Sequence, residues 1–209
     1  MDVLEIAPGL WRWTGFHEEW RQSVGCVYYE APGAVVLVDP LVPPEDADRF
    51  WAALDRDVER AARPVHVLVT IYWHTRNARE IVERYGARLW AHVKAERTVG
   101  RRAGEVTDLF DPGDPLPGGV EAFLGRWSEV VYWIPEHRTL VTGDIVLGGK
   151  DGGLRLCPES WTPTAGGHGR WRENLAPLLD LPVERVLVSH GEPVLENGKA
   201  ALAPLLRGA

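Results

Sequence analysis

The sequence predicts a mixed α/β domain in which two sheets pack face to face and helices cover both outer surfaces. Short apolar strand segments occur in two groups along the chain, and each group is followed by segments with helical periodicity. Because a sheet must bury its apolar face against another layer, this order suggests two packed sheets. The chain has 209 residues, of which 45% are hydrophobic and 25% charged, and this is enough for one buried core. A single domain over residues 1–209 is therefore predicted.

The first half of the chain predicts a run of strands followed by a β-α-β unit. The first strands are expected at residues 3–6, 10–14, 24–30 and 34–38. An amphipathic helix follows at residues 45–62, because Phe50, Leu54 and Val58 recur at helical spacing, with acidic residues first and arginine last. The next strand, helix and strand are expected at residues 65–70, 77–85 and 88–91, with Gly86 ending the helix.

The second half repeats this order of strands and helices. Strands are predicted at residues 120–124, 129–134 and 139–141, with a hairpin turn at residues 135–138. Residues 150–169 are rich in Gly and Pro and have no period, which is typical of a long loop that covers an active site. A helix, a strand and a final helix are expected at residues 170–179, 185–188 and 198–206.

Composition excludes several classes of partner. The net charge is −7, and the only basic run is the Arg101-Arg102 pair, so nothing indicates binding to nucleic acid or to an anionic membrane. A small molecule is the expected partner, and homodimerisation stays open. The N-terminal segment resembles no signal peptide, and no apolar run reaches about 18 residues. Cys26 and Cys157 lack Cys-x-x-Cys spacing, which indicates a reducing, cytoplasmic location, although a bridge between them stays open.

Six segments carry a resemblance to a known family. In chain order they lie at residues 35–39, 68–76, 88–92, 125–137, 140–144 and 186–193. They include Leu-Val-Thr-Gly-Asp at residues 140–144 and Val-Ser-His-Gly at residues 188–191. In this order and spacing they resemble the metallo-β-lactamase superfamily over residues 24–206. The resemblance implies a four-layer α/β/β/α sandwich.

The resemblance also implies where metal ligands would stand. The family's loop reads Thr-His-x-His-x-Asp-His, and a further ligand histidine follows in the segment that begins Gly-His. In this chain the corresponding positions are Ile71, Trp73, Thr75, Arg76 and Arg126. Only Asp144, at the bridging position, and His190 remain as good ligands. Because zinc usually requires at least three protein ligands, the sequence predicts that two-metal hydrolysis is lost.

His74 could restore a site for one metal. It lies one position beyond the expected second histidine, and a one-residue change of register would direct it inward. With Asp144 and His190 it would then hold a single divalent ion, zinc, manganese or iron, with an open position for water. Alternatively, His74 is an ordinary loop histidine that hydrogen-bonds to backbone or solvent.

Arg76 and Arg126 place fixed positive charges where ligands would stand. Without a metal, Asp144 would be an uncompensated interior charge, at a cost of about 3 to 5 kcal/mol, and a guanidinium could compensate it. Two interpretations follow. Either the arginines form a pocket for a small anionic molecule, so that replacing both with alanine would weaken binding without unfolding the chain, or they form structural salt bridges with Asp144.

Aromatic residues border the expected cleft. Five tryptophans lie in these segments, namely Trp73, Trp127, Trp133, Trp161 and Trp171. An aromatic cleft suits a small organic ligand, whereas the strand alternation assigns Trp133 to the core. Trp73 stands at a ligand position, so its ring is expected to occupy the metal volume.

The predicted loop contributes two further candidates. Cys157 and His168 could close over the cleft as an extra ligand or a nucleophile, although no paired base stands beside Cys157 in the sequence. Four other residues are interpreted as structural, namely Asp39, His92, His137 and His17.

Three functions follow from these patterns. The first is a metal-depleted protein that binds a small anionic organic molecule through Arg76, Arg126, Trp73 and Trp127. The second is a single-metal hydrolase of esters, lactones or thioesters, in which Asp144 and His190 are catalytic. The third is a non-catalytic subunit that keeps the fold for structure or partner binding.

Overall fold

The first sheet has seven strands in sequential order. A computed structural model describes residues 1–149, 152–161 and 167–208. The strands are β1 (Asp2–Ala7), β2 (Leu10–His17), β3 (Gln22–Ala31), β4 (Ala34–Val38), β5 (Val65–Leu68), β6 (Arg88–His92) and β7 (Asp108–Phe110). The β1 to β4 strands pair antiparallel, and β4 to β7 pair parallel. The β4, β5 and β6 strands therefore all end at the same edge of the sheet.

The second sheet has four strands in the order β13-β10-β9-β8. These are β8 (Glu121–Arg126), β9 (Glu129–Ile134), β10 (Thr139–Thr142) and β13 (Arg185–Val188), and a separate hairpin joins β11 (Val146–Gly148) to β12 (Leu154–Leu156). The β10 and β13 strands are parallel and in register, with Thr142 opposite Val188. Asp144 and His190, each two residues beyond a strand end, are thus brought to one edge.

Helices cover the outer face of each sheet. Helices α1 (Ala47–Ala61), α2 (Ala78–Tyr85) and α3 (Glu96–Ala103) pack on the first sheet, and α4 (Gly167–Leu175) and α5 (Gly198–Arg207) pack on the second. The layers follow from strand alternation: Val35 and Leu37 face the first set of helices, whereas Val36 and Val38 face the second sheet. Trp133 packs in the core under α4 and α5. The predicted four-layer α/β/β/α sandwich is confirmed.

Several short elements differ from the sequence prediction. Helix α3 and strand β7 were not predicted, because α3 buries only Val99 and Ala103 and β7 has three residues. The predicted loop over residues 150–169 instead contains β12 and the beginning of α4. The rest of that prediction at residues 150–151 and 162–166 lies outside the described residues.

Two further sequence-based expectations concern the cysteines and membrane spans. Cys26 and Cys157 are both buried and free, and they pack in cores on opposite sides of the sandwich, so the alternative of a bridge between them is wrong. Among the described residues, none of the helices combines the length and the apolar character needed to cross a bilayer.

Candidate metal centre

The candidate site lies where strands of both sheets end side by side. Asp39 follows β4 and Thr70 follows β5 by two residues, while Asp144 and His190 follow β10 and β13. The two sheets are tied together at this edge, because the backbone N–H of Val130 donates to the carbonyl of Thr70 at 2.9 Å. Parallel pairing within each sheet thus gathers chemically active residues that are distant in sequence.

His74 points into the protein. The turn at residues 71–77 is closed by a hydrogen bond from the His74 N–H to the Ile71 carbonyl at 2.8 Å, and the ring is fully buried. Its Nδ1 lies 2.9 Å from Oδ2 of Asp39 and 3.2 Å from Oγ1 of Thr70. An ionised carboxylate only accepts hydrogen bonds, so Asp39 assigns the ring proton to Nδ1 and leaves Nε2 as a lone-pair donor. His74 is thus hydrogen-bonded to side chains and not to the backbone or solvent partners that the loop-histidine alternative expected.

Asp39 was interpreted from sequence as a turn residue, and the structure gives it a second role. Its carboxylate accepts hydrogen bonds from the Thr70 backbone N–H at 2.8 Å and from the Thr70 hydroxyl at 2.5 Å. These two bonds fix the carboxylate that orients His74. The signal in the sequence is an acidic residue directly after a fully buried strand.

Three potential ligand atoms converge at one point. Oδ1 of Asp144 lies 3.2 Å from Nε2 of His74 and 3.0 Å from Nε2 of His190, and all three atoms lie within 4.8 Å of one another. The side chains are buried, and neither Nε2 of His74 nor Oδ1 of Asp144 has a hydrogen-bond partner. Tetrahedral ligands at about 2.1 Å from zinc stand about 3.4 Å apart, so these residues fit one divalent ion. Within the described ranges this is the only such cluster.

Asp144 and His74 shift each other's pKa as the two members of an ion pair do. Burial acts to raise the pKa of Asp144, but His74 and His190 override it and hold that pKa well below its ordinary value. Burial acts to lower the pKa of His74, but Asp144 and Asp39 raise it above its ordinary value. The raised pKa favours a proton on His74 beside Asp144, and a metal would have to displace any such proton.

Trp73 engages the other oxygen of Asp144. Its indole Nε1 donates a hydrogen bond to Oδ2 of Asp144 at 2.7 Å. Trp73 stands at a position where the resemblance implies a histidine ligand, and its indole supplies a hydrogen-bond donor instead of a metal-binding atom. Ile71 and Thr75, at two further ligand positions implied by the resemblance, are buried and offer none of the usual zinc ligand groups.

Arg76 does not pair with Asp144, which corrects one expectation. One guanidinium nitrogen donates to the carbonyls of Gly25 at 3.0 Å and Asp39 at 2.7 Å, and the other donates to Oγ of Ser189 at 2.6 Å. Asp144 already lies within 3.2 Å of two histidine rings, whereas these strand-end acceptors need a donor. Arg76 therefore ties the first sheet to the segment that carries His190.

Arg126 compensates a different carboxylate. Its Nε donates to Oε2 of Glu129 at 2.5 Å, and a terminal nitrogen donates to Sγ of Cys157 at 2.8 Å. Both members of the ion pair are buried, and burial raises the pKa of Glu129 to about 7 although Arg126 opposes that rise. The expected salt bridge between Arg126 and Asp144 is thus wrong, because Glu129 lies opposite Arg126 across the β8–β9 pair.

Glu129 supports the loop that carries Asp144. Its Oε1 accepts a hydrogen bond from the backbone N–H of Ile145 at 2.7 Å. Glu129 was not predicted from the sequence. The available signal was one acidic residue at the start of a strand whose six residues are all buried.

Cys157 and His168 lie outside the cluster. The thiol of Cys157 accepts from Arg126, and burial raises its pKa to about 11, so it is a poor nucleophile. A ring nitrogen of His168 lies 2.8 Å from the carbonyl oxygen of Cys157. Neither is a member of the three-residue cluster, so the structure gives no support to the possibility that either acts as an extra ligand.

A cavity of about 430 Å³ opens above Asp144 and His190. Its walls are aromatic, formed by Trp20, Tyr72, Trp73 and Trp161, and its polar lining residues are Glu19, Gln22 and Arg102. The ring of Trp20 lies 5.7 Å from that of His74 and 6.5 Å from that of His190. A cavity of this size and lining suits a small organic molecule.

The lining differs from the predicted one. Trp127 is 64% exposed and, with Arg126 and Trp171, lines a neighbouring cavity. Trp20 and Arg102 were missed, because Trp20 lies between two strands outside the family motifs and Arg102 stands out only as part of a dibasic pair. Their approach to the site depends on how the β2–β3 hairpin and α3 pack.

Comparison with known proteins places this geometry in a family. A family model described as the metallo-beta-lactamase superfamily matches residues 21–190. A metallo-beta-lactamase from Pontibacter korlensis superposes with a TM-score of 0.72 at 17% identity, covering 100% of this chain and 99% of that one. The metallo-beta-lactamase DIM-1 gives a TM-score of 0.71 at 15% identity, with 99% and 94% coverage.

A third similar structure is the metallo-beta-lactamase IND-7, with a TM-score of 0.68, 19% identity, and coverage of 99% of this chain and 98% of that chain. A sequence search among curated proteins found no match. At these identities the structural likenesses show the fold alone, whereas the family model spans most of the chain. The chain therefore belongs to the metallo-beta-lactamase superfamily.

Proposed function

We propose that this protein is a single-metal hydrolase of small organic esters, lactones or thioesters, with the metal held by His74, Asp144 and His190. One observation carries the proposal. Two imidazole nitrogens and a carboxylate oxygen converge in a buried position, and one of those nitrogens and that oxygen have no hydrogen-bond partner. Buried polar atoms without partners are costly, and a divalent ion would satisfy them.

The residues of the site have separate tasks in this reaction. When bound, the metal lowers the pKa of a water molecule to about 7 and polarises the carbonyl of the substrate. Asp39 keeps His74 in the tautomer that offers Nε2. Trp20 and Trp73 form apolar walls that hold the organic part of the substrate and exclude other water.

The same geometry argues against two-metal chemistry. The described residues offer one cluster of three ligands, and Ile71, Trp73 and Thr75, at the family's other ligand positions, offer none of the usual metal-binding groups. The buried side chain of Arg126 pairs with Glu129 and brings a positive charge to the neighbourhood. We infer that any hydrolysis proceeds at one metal.

Metal content per chain is the decisive first measurement. Untagged protein purified without chelators and then offered zinc, manganese or iron should retain about one equivalent, because three ligands are present. His190→Ala should lose it. His66→Ala is the matched control, since His66 contacts Trp90 on the first sheet, away from the cluster.

Turnover completes the test. A panel of activated esters, lactones and thioesters should show a rate that needs the metal and disappears in His190→Ala but persists in His66→Ala. Retention of no metal under any loading condition, or a rate unaffected by His190→Ala, would exclude the proposal.

A metal-free binding protein is the second candidate, and one observation favours it. Asp144 raises the pKa of His74, so a protonated His74 can compensate the carboxylate without a metal. In that case the protein retains no metal, and small organic molecules still quench the fluorescence of Trp20 and Trp73 in the cavity. Ligand screening would then replace the activity assays.

A further inference from the structure

We propose that the cavity above the cluster selects substrates that carry one carboxylate, and that Arg102 is the specificity-determining residue that binds it. This inference rests on the proposed function in that it treats the ligand as a substrate. Binding of an anion does not itself require turnover. Arg102 lines the cavity whose floor is formed by Asp144 and His190. It is the only Arg or Lys among the described residues lining that cavity.

The position of Arg102 is set by a short helix. It lies in the last turn of α3, which is anchored to the first sheet by Val99 and Ala103. The guanidinium carbon lies 6.0 Å from the ring centroid of Tyr72, another residue of the cavity wall. This distance is at the outer limit of a cation–π contact and places the guanidinium beside the aromatic wall of the cavity.

The charge of Arg102 is not compensated within the part of the chain that the structure describes. No described carboxylate lies within salt-bridge distance of its guanidinium. The same holds for the exposed Arg97 and Arg101 on this helix, and Arg102 differs from them in lining the cavity. Glu19 lines the same cavity without reaching Arg102. An unpaired guanidinium at the wall of an aromatic cavity offers a bidentate site for a carboxylate.

The arrangement restricts the chemical class of the ligand. Its reacting group must reach the floor at Asp144 and His190, while its carboxylate contacts Arg102 on the wall. Trp20 and Trp73 line the space and suit an apolar or aromatic linker. The carboxylate of Glu19 disfavours a second negative charge, so a monoanion is expected.

Binding of a matched pair of probes tests the inference without turnover. Phenylacetate and phenylacetamide have almost the same shape and differ in charge. Metal is first removed with a chelator and the chelator dialysed away, because a bound metal would itself attract carboxylates. Dissociation constants are then measured at low ionic strength by tryptophan fluorescence, with calorimetry as a check.

Wild-type protein should bind phenylacetate about fivefold more tightly than phenylacetamide, with a preference that declines as salt is added. Arg102→Gln should abolish the preference. Arg101→Gln is the matched control, because Arg101 is an exposed neighbour on the same helix turn that does not line the cavity, and it should retain the preference. Equal affinities for the two probes, no binding of either, or an unchanged preference in Arg102→Gln would overturn the inference.

A second measurement separates this inference from the proposed function. Metal content and hydrolysis of a neutral ester and its carboxylate-bearing analogue are measured in the wild type and Arg102→Gln. Absence of metal and turnover together with a persistent preference for phenylacetate would defeat the proposed function and keep the inference. Metal-dependent turnover that favours the neutral ester and is unaffected by Arg102→Gln would keep the proposed function and defeat the inference.

Discussion

Replacing Arg126 with methionine should strongly destabilise the fold, because it leaves Glu129 buried without its cation. The side chains of this pair are 2% and 0% exposed, and Nε lies 2.5 Å from the carboxylate. Methionine fills most of the volume and removes the charge. If Arg126 instead served only to bind an anionic ligand, as the sequence allows, the same change would reduce binding and leave stability almost intact.

The expected loss follows from the burial of the pair. Removing one partner of a buried ion pair costs about 3 to 5 kcal/mol, a large part of the 5 to 15 kcal/mol by which domains are typically stable. The double variant Arg126→Met with Glu129→Gln removes both charges, and the new amide oxygen can still accept from the Ile145 N–H. It should recover most of the loss. Arg138→Met is the control, since its pair with Glu184 is 60% and 49% exposed and should contribute at most about 1 kcal/mol.

The loss of stability in Arg126→Met should also depend on pH, because Glu129 is titratable. The pKa of Glu129 is raised from an ordinary 4.5 to about 7 by burial, so the folded state holds its proton more tightly than the unfolded chain does. Its contribution to stability is complete below about pH 4.5 and is lost as the pH rises towards 7. Without Arg126, only the hydrogen bond from the Ile145 N–H opposes the effect of burial and of the Asp144 charge on the pKa of Glu129. The deficit of Arg126→Met should therefore be larger at pH 8 than at pH 5.

Urea unfolding followed by tryptophan fluorescence and circular dichroism measures these differences for all four proteins at both pH values. In the two variants and the control, the free energy of unfolding should fall with urea concentration at the wild-type slope, so that differences in midpoint report differences in stability. The role assigned to the buried ion pair is refuted if Arg126→Met loses no more stability than Arg138→Met. It is refuted equally if the double variant is no more stable than the single one, because the cost would then not arise from the charge of Glu129.

Three further predictions address the loops around the cluster. Trp73→Phe should destabilise metal-free protein by about 1 to 3 kcal/mol in urea unfolding, because Oδ2 of Asp144 loses its indole donor; an unchanged midpoint would mean that solvent replaces the bond. Gly143→Ala should cost at least about 1 kcal/mol, since its Cβ would lie 2.7 Å from two side-chain oxygens, whereas Gly100→Ala, with open space around it, should stabilise α3. Zinc affinity should fall as the pH drops from 8 to 6, because zinc competes with the proton on His74, whose pKa is raised; calorimetry showing a constant affinity would contradict this.

The sequence determined the elements that are long or fully buried. The strands predicted at residues 34–38, 129–134 and 185–188 coincide with β4, β9 and β13, because continuous apolar runs of this length fit buried strands. Helix α3 was missed, since its eight residues, Glu-Arg-Thr-Val-Gly-Arg-Arg-Ala, include only two buried positions and one large apolar side chain. Such a helix is stabilised mainly by its place on the sheet rather than by its own pattern.

The residues of the site were likewise predicted from sequence only in part. Asp144 and His190 were identified from sequence, because each follows a buried strand in a motif that resembles the family. Whether His74 points inward was decided only in three dimensions, by the carboxylate of Asp39, which is 35 residues away in sequence. A turn residue can adopt either orientation locally, and the distant hydrogen-bond partner selects one.

Charge compensation was the part that only the tertiary structure decided. From sequence, Arg76 and Arg126 were both expected near Asp144, since they stand at ligand positions of the family pattern. The fold instead directs Arg76 to strand-end acceptors and Arg126 to Glu129. Hydrophobic pattern is a local property that sequence reveals directly. The partner of a buried charge depends on distances of a few ångströms between segments that meet only after the sheets pack.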